Sequence, residues 1–338
     1  MKKIDRRALH PKLKFGRGIL AKASQAWGDY LLVTMPDAWK SAEKMLAKKP
    51  AAIHYVTTME RAAIEKQAAR LPKANTIVGL GGGTALDFAK FAGWKQGVDP
   101  VLVPAAASVD AGVCASIAVR EQRKVKYIGY SLAKEILCDF ALMQTAPKNL
   151  NRAGIGDILS IHTALWDWEF AAGQGKAEFV RENARATAKL LDELEEMAIQ
   201  INQTSDQALK WLMQAYARET AVCVRNGTSR PEEGSEHFFA YNVENLTGRS
   251  FVHGELVCLG VLLLSRLQEN NPERVTRILK KTGVRFHPAQ LGLSRAIVVK
   301  SLLSLKSFGE REGLVYSVIN SKSIDLKTVK IICKGLRF

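Results

Sequence analysis

The chain has 338 residues, 47% of them hydrophobic, and a formal net charge of +16 at pH 7. That length and apolar content are enough to bury substantial cores and predict two domains. The sequence has no apolar run long enough to cross a bilayer, and no apolar stretch follows its basic start as in a secretory signal, so we expect a cytoplasmic protein without a membrane span.

The cysteines and the basic residues exclude some classes of site and partner. Five cysteines are scattered without C-x-x-C spacing, so we expect reduced thiols and no cysteine metal site. Basic residues crowd residues 2–17 and 274–337. This charge fits binding to nucleic acid or a membrane surface, attraction of an anionic substrate or of cofactor phosphates, and equally a solvated surface. Because the sequence has no RRM, KH or helix-turn-helix signature, we do not expect a nucleic-acid partner.

Short β-rich segments alternate with helical patterns in the first half of the chain. The predicted strands are residues 30–34, 51–56, 76–80 and 100–103, and helical patterns follow the first three. Alternation of this kind predicts a parallel, doubly wound sheet.

From about residue 148 long helical patterns take over. They cover residues 156–172, 181–200, 206–225 and 253–268. We therefore expect an α/β domain with a parallel, Rossmann-like sheet at residues 1–147, followed by an all-α domain at residues 148–338.

A glycine-rich turn separates the third predicted strand from its helix. It reads Val78-Gly79-Leu80-Gly81-Gly82-Gly83-Thr84. Glycines allow close backbone approach, and the amides at a helix start attract phosphate. The turn departs from G-x-G-x-x-G, and it lacks the lysine of a P-loop, which argues against an NTPase. We expect a phosphate cradle for a dinucleotide, with a simple tight turn as the alternative.

Two histidines in the second half lie just after predicted helix starts. Ser235 is placed to cap the helix that carries His237, and His253 opens another helix. A catalytic divalent metal commonly takes three protein ligands, so two histidines need one partner, and Asp157 is our candidate. Either histidine alone is better explained as a hydrogen-bonded core residue, but the pair favours a metal site.

Together these segments resemble the iron-containing alcohol dehydrogenase and dehydroquinate synthase superfamily, and within it the sn-glycerol-1-phosphate dehydrogenases. The resemblance covers most of the chain, from about residue 30 to about residue 305. It is carried by residues 81–90, 103–110, 153–168, 229–237 and 253–255. It implies a dehydroquinate synthase-like fold.

The resemblance also implies site residues. Asp157, His237 and His253 are expected to bind one divalent metal, zinc most often in this branch, with nickel or iron as alternatives. These three and Asp110 are expected to serve catalysis, with Asp110 holding a substrate hydroxyl or a carboxamide.

The implied cofactor is NAD or NADP. The residues expected to bind it are Gly81, Gly82, Gly83, Thr84, Asp87, Ser108 and Asp37. Asp37 would partly replace the acid that NAD-strict relatives tend to carry where Met35 stands. Without the resemblance, Asp87 and Lys90 are best explained as a surface ion pair worth a few tenths of a kcal/mol.

The implied reaction is reduction of dihydroxyacetone phosphate to sn-glycerol 1-phosphate, and its reverse, by a homo-oligomer acting on this small anionic substrate. The chain departs from the family at Ala105, Ala111 and Glu233. A carboxylate near a substrate phosphate repels it unless an arginine such as Arg230 compensates. Two alternatives stay open: a dehydrogenase or cyclase of this fold acting on another polyol or sugar, and a catalytically retired relative that binds nucleotide or nucleic acid.

Overall fold

The structure, a computed structural model, describes residues 6–122 and 124–338. Lys2 and Lys3 of the basic amino-terminal segment lie outside the described residues. Two compact units are present. The first holds residues 6–151 together with Thr204–Ala221, and the second holds Arg152–Gln203 and Val222–Phe338. The first unit thus includes a helical segment from the second half of the chain, which a single division at residue 147 does not provide.

The first unit is built on strands. They are β1 (Leu13–Gly16), β2 (Leu31–Thr34), β3 (Ala52–Tyr55), β4 (Ile77–Gly81), β5 (Val101–Pro104), β6 (Ser116–Glu121), β7 (Lys124–Tyr130) and β8 (Glu135–Asp139). Six of them form a parallel sheet in the order β1-β8-β5-β4-β2-β3, and β6 and β7 form a separate antiparallel hairpin. The four predicted strands are confirmed as β2 to β5, whereas β1, β8 and the hairpin were missed.

Among the described residues up to Ala153, seven α-helices alternate with the strands or follow them. They are α1 (Arg6–Leu9), α2 (Ile19–Ala26), α3 (Pro36–Ala42), α4 (Arg61–Ala69), α5 (Gly83–Gln96), α6 (Phe140–Met143) and α7 (Lys148–Ala153). Every residue of β2, β4 and β5 is buried, as expected for strands covered on both faces. Strand order reverses between β2 and β4, and in such sheets ligands bind at the carboxyl ends of the strands beside the reversal.

The rest of the chain is helical. The elements are α8 (Ile155–Gly173), α9 (Arg181–Gln203), α10 (Asp206–Asn226), α11 (Ser235–Thr247), α12 (His253–Gln268), α13 (Pro272–Thr282), α14 (Arg295–Leu303), α15 (Leu305–Glu312), α16 (Val318–Ser321) and α17 (Leu326–Ile332). Nearly all of α12 is buried, and it packs against α8 and α11 in the interior of the second unit. Among the described residues, no helix combines the length and apolar character needed to cross a membrane. An α/β region followed by a helical region confirms the predicted fold class.

Candidate metal centre and cofactor loop

Three helices of the second unit begin beside one another and bring the three predicted ligands together. Asp157 is the third residue of α8, His237 the third of α11 and His253 the first of α12. One ligand atom from each lies within 4.8 Å of the others. Nε2 of His253 is 3.3 Å from Oδ1 of Asp157, and the two imidazole centroids are 5.3 Å apart. Asp157 and His237 are buried, whereas the His253 side chain is 36% exposed, which leaves one side open to solvent.

A contact between two glycines places Asp157 beside His253. A Cβ added to Gly156 would collide with the backbone of Gly254, and a Cβ added to Gly254 would collide with the carbonyl oxygen of Ala153. Only residues without a side chain allow the start of α12 to approach the start of α8 and the end of α7 this closely. Each glycine adjoins a ligand in sequence, so the same contact sets the distance between the two ligand side chains.

His237 has a fixed orientation and a raised pKa. Its Nδ1 lies 2.9 Å from Oε1 of Glu236, so Nδ1–H donates and Nε2 is the nitrogen left for a ligand. Burial lowers the pKa of His237, but the hydrogen bond to Glu236 and the negative charges of Glu236, Glu233 and Asp157 outweigh it and raise the pKa to about 9. A cation that binds this imidazole must therefore displace a proton.

Each ligand helix carries an acidic residue in its first turn, and sequence reasoning missed two of the three. Besides Asp157, these are Glu236, which is fully buried, and Glu255, which pairs with Arg285 through both oxygens (2.6 and 2.9 Å). Helix amino termini stabilise negative charge, so three such ends favour carboxylates at this place. The repeated first-turn acid was the available sequence signal.

The donor set fits a divalent metal. Two imidazole nitrogens and one carboxylate oxygen are the ligands that catalytic zinc and non-haem iron sites use, with a position left open for water or substrate. The negative charge around the ligands, including Glu236 and Glu233, offsets the charge of a cation. No disulfide joins any of the five cysteines, all of which lie within the described residues.

The expected capping role of Ser235 is wrong. Gly234 is the N-cap of α11 and Ser235 is its first residue. The hydroxyl and the backbone N–H of Ser235 both donate to Oδ2 of Asp167, at 2.6 and 2.8 Å, because this buried carboxylate on α8 faces the helix start. Its other oxygen accepts from the N–H of Val318, the first residue of α16, at 2.8 Å. Burial and the negative charge of Glu236 raise the pKa of Asp167 to about 6 despite these hydrogen bonds.

The glycine loop lies in the first unit, between β4 and α5. Gly81 ends the strand with φ +153°, Gly82 is the N-cap, and Gly83 begins the helix. The helix start has no side-chain cap hydrogen bond, and a Cβ added to Gly82 would meet nothing within 4 Å. Together with Thr84, which is half-buried in the first turn, the loop offers backbone amides next to open space.

Two other predicted segments adjoin this loop. A Cβ on Gly81 would lie 3.7 Å from that of Ala38, the residue after Asp37, so the start of α3 flanks the loop where strand order reverses. A Cβ on Gly83 would lie 3.1 Å from Val109, between half-buried Ser108 and Asp110. The segments that carry Asp37, Ser108 and Asp110 thus adjoin the glycine loop.

The surface ion pair expected for Asp87 and Lys90 is wrong, because both side chains are buried. Nζ of Lys90 lies 2.8 Å from Oδ1 of Asp87 and donates to the carbonyl oxygens of Cys114 (2.9 Å) and Ser116 (2.7 Å). The N–H of Ala118 donates to the same Asp87 oxygen at 3.3 Å. The pair anchors the β6–β7 hairpin on α5, and a direct contact of Asp87 with cofactor stays a prediction.

Comparisons with known proteins agree with this arrangement. A family model described as iron-containing alcohol dehydrogenase matches residues 19–147. The glycerol-1-phosphate dehydrogenase (NAD(P)+) of Sulfurisphaera tokodaii is 26% identical over 279 residues, 80% of this chain and 76% of that protein. The protein of the same name from Hyperthermus butylicus is 30% identical over 230 residues, 67% of this chain and 65% of that protein.

Solved structures show the same fold. A probable glycerol dehydrogenase from Sinorhizobium meliloti superposes with a TM-score of 0.72 at 17% identity, covering 95% of both chains. The glycerol dehydrogenase of Schizosaccharomyces pombe gives a TM-score of 0.73, also at 17% identity, over 96% of this chain and 88% of that one. With its fold, its family match and its relatives in agreement, the chain belongs to the iron-containing alcohol dehydrogenase superfamily, in the branch of the glycerol-1-phosphate dehydrogenases.

Proposed function

We propose that the protein is a metal-dependent NAD(P)H oxidoreductase that interconverts dihydroxyacetone phosphate and sn-glycerol 1-phosphate by hydride transfer. The observation that carries the proposal is the meeting of Asp157, His237 and His253 at three helix starts, with ligand atoms within 4.8 Å of one another. The names of the relatives from Sulfurisphaera tokodaii and Hyperthermus butylicus support the substrate and the cofactor.

The second unit supplies the metal centre in this proposal. A divalent cation held by the three ligands, zinc by preference and nickel or iron as alternatives, would supply Lewis-acid polarisation of the substrate carbonyl. The helix starts at Asp157, His237 and His253 add partial positive charge from their amides, which favours the negative charge that develops on the carbonyl oxygen. The exposed side of His253 gives substrate an approach.

The first unit supplies the cofactor site. We propose that the amides of Gly82, Gly83 and Thr84 hold the pyrophosphate at the start of α5, in the open space beside Gly82. We also propose that Asp37, in the first turn of α3 beside the strand reversal, accepts from a ribose hydroxyl. Ser108 and Asp110 follow β5 and are proposed to hold the carboxamide or a substrate hydroxyl.

One observation favours a second candidate, a polyol or sugar dehydrogenase of the same fold. The carboxylate of Glu233 accepts from the hydroxyl of Tyr241 at 2.8 Å, and its negative charge raises the pKa of His237. Arg230, expected to compensate this charge, is buried and donates to the carbonyl oxygen of Tyr316 at 3.1 Å. Burial lowers the pKa of Arg230, and the negative charge of Asp167 offsets only part of this shift. A carboxylate near the ligands suits a neutral hydroxyl better than a phosphate dianion.

The deciding experiment follows nicotinamide absorbance with dihydroxyacetone phosphate and with unphosphorylated dihydroxyacetone. We expect turnover of the phosphate to disappear after chelation and to return with zinc. A preference for dihydroxyacetone would overturn the first candidate in favour of the second. The variant Glu233→Gln keeps an acceptor for Tyr241 without the charge. If the charge opposes phosphate, this variant raises kcat/KM for dihydroxyacetone phosphate and leaves that for dihydroxyacetone almost unchanged.

A further inference from the structure

Glu236 stands out among the buried charged groups of the second unit because it touches a proposed ligand. Its side chain has no exposure, and it directly precedes His237 on α11. A lone carboxylate in a protein interior is strongly destabilising unless hydrogen-bond donors surround it. The hydrogen-bond partners of Glu236 therefore indicate what its buried carboxylate does.

Three donors converge on the two oxygens of this carboxylate. Oε1 accepts from the N–H of Gly234 at 2.7 Å and from Nδ1 of His237 at 2.9 Å. Oε2 accepts from the hydroxyl of Thr163 at 2.7 Å. The side chain thus folds back over the turn before α11 and uses both oxygens.

These contacts join two of the ligand helices. Thr163 belongs to α8, the helix that starts with the Asp157 turn, and its hydroxyl also lies 3.1 Å from the carbonyl oxygen of Ser160. Glu236 belongs to α11 with His237. The Glu236 carboxylate therefore links the imidazole of His237 on α11 to the Thr163 side chain on α8.

The arrangement also selects the ligand atom of His237. When Nδ1–H donates to a carboxylate, Nε2 is the nitrogen that a cation can bind, and the negative charge makes that nitrogen a stronger donor. Outer partners of this kind commonly change metal affinity by about 10- to 100-fold when they are removed.

We propose that Glu236 is a positioning residue of the metal centre, which fixes the tautomer and orientation of His237 and strengthens it as a metal ligand. The inference rests on the proposed function, because it presumes that Asp157, His237 and His253 hold a divalent cation. It adds a fourth side chain that the centre requires although this side chain does not touch the cation.

The variant Glu236→Gln separates charge from shape. The glutamine oxygen can accept from Gly234 and His237, and its amide can donate to the Thr163 hydroxyl, which then donates to Ser160. The fold and the tautomer are retained while the charge is lost. Glu236→Ala removes the charge and also the hydrogen-bond acceptor that holds the His237 tautomer. Glu244→Gln is the matched control, because Glu244 is also a buried glutamate of α11, and it accepts from the N–H of Phe251.

The measurement is the affinity of the full-length, metal-stripped protein for Zn²⁺, by competition with a chromophoric chelator, together with the visible spectrum of the Co²⁺-substituted form. We expect about tenfold weaker binding for Glu236→Gln, about 100-fold for Glu236→Ala and less than twofold for Glu244→Gln. The Co²⁺ spectrum should change in Glu236→Ala, and the thermal midpoint of metal-stripped Glu236→Gln should stay near that of the parent protein.

Two failures are distinguishable. If the parent protein and all variants bind Zn²⁺ equally well, Glu236 does not position a ligand, and the metal centre itself stands. If the parent protein binds no Zn²⁺, Ni²⁺ or Fe²⁺ and shows nicotinamide turnover after chelation, the proposed function falls and the inference falls with it. Should Glu236→Ala not fold, Glu236→Gln decides alone, and parental Zn²⁺ affinity in that variant overturns the proposed effect of charge.

Discussion

The glycine loop and the metal centre are built from different parts of the chain. The loop uses the backbone of residues 81–84 at the end of one strand and the start of one helix. The centre uses side chains from α8, α11 and α12, and each ligand has buried neighbours that hold it. A backbone site depends on a few local dihedral angles and on open space, whereas a side-chain site depends on packing and charge contributed by distant segments. The two sites should therefore respond to different mutations.

Removal of a ligand tests the side-chain site most directly. His253→Ala should abolish stoichiometric metal and lower turnover by roughly a thousandfold or more, because a developing negative charge loses its main stabilisation. The fold should persist, since this side chain is 36% exposed. Metal content, nicotinamide absorbance and circular dichroism measure the three effects. His162→Gln, on α8 beside the carbonyl of Asn270, should keep metal and activity. Full activity of His253→Ala after chelation would show that the site is not a metal centre.

Packing at the glycine contact gives the next largest effect. Gly254→Ala places a methyl group against the Ala153 carbonyl oxygen, so we expect a loss of about 2 kcal/mol or more in the free energy of unfolding and weaker Zn²⁺ binding. Gly173→Ala, at the end of α8 with nothing within 4 Å, is the control. Denaturant titration measures both variants. Equal stability of the two would mean that the helices do not depend on this close approach.

The loop should show the opposite behaviour. Gly82→Ala adds a methyl group to open space at φ −82°, where alanine is not strained, so stability should not fall. The methyl group would stand where we place the pyrophosphate, and we expect KM for NAD(P)H to rise about tenfold, or about 1.4 kcal/mol. Steady-state kinetics and thermal unfolding report the two effects separately. An unchanged KM would remove the loop from the cofactor site.

A smaller effect concerns the Asp167 carboxylate and the pH dependence of stability. The pKa of Asp167 is raised from 3.8 to about 6, so between these values the folded protein keeps a proton that the unfolded chain has released. This group therefore makes the free energy of unfolding fall as pH rises from about 4 to about 6. Asp167→Asn should lose that part of the pH dependence, even though the variant is less stable at every pH. Urea titrations between about pH 4 and about pH 6 measure the free energy of unfolding of both proteins. If it changes with pH in the same way in the parent protein and in Asp167→Asn, the raised pKa of Asp167 is contradicted.

The sequence was sufficient where the signal is local. Strands β2 to β5 are short apolar runs before turns, and the long helices of the second unit follow an apolar period, so both were predicted. The glycine loop was found for the same reason. Spacing around His237 and His253 suggested a pair, and Asp157 was the candidate for the third ligand, which the resemblance to a known family also implied. The structure brings the three together.

The missed features depend on partners distant in sequence. The first-turn position of Glu236 does not by itself show that its carboxylate turns inward, because one of its donors comes from Thr163 on another helix. Ser235 has the composition of an N-cap, yet Asp167 takes its hydroxyl. The β6–β7 hairpin was missed because charged residues interrupt its apolar alternation, and its anchor, Lys90, has the spacing of a surface ion pair. Burial of a charge is decided by what surrounds it in three dimensions.

The Lys90 ammonium holds the β6–β7 hairpin by hydrogen bonds to two main-chain oxygens, those of Cys114 and Ser116. Main-chain oxygens are common to every amino acid, so this attachment places little demand on which side chains the hairpin carries. Substitutions or insertions in the hairpin beyond these two residues therefore require no matching change in α5. The sequence of the hairpin can therefore vary while Asp87 and Lys90 of α5 still hold it in place.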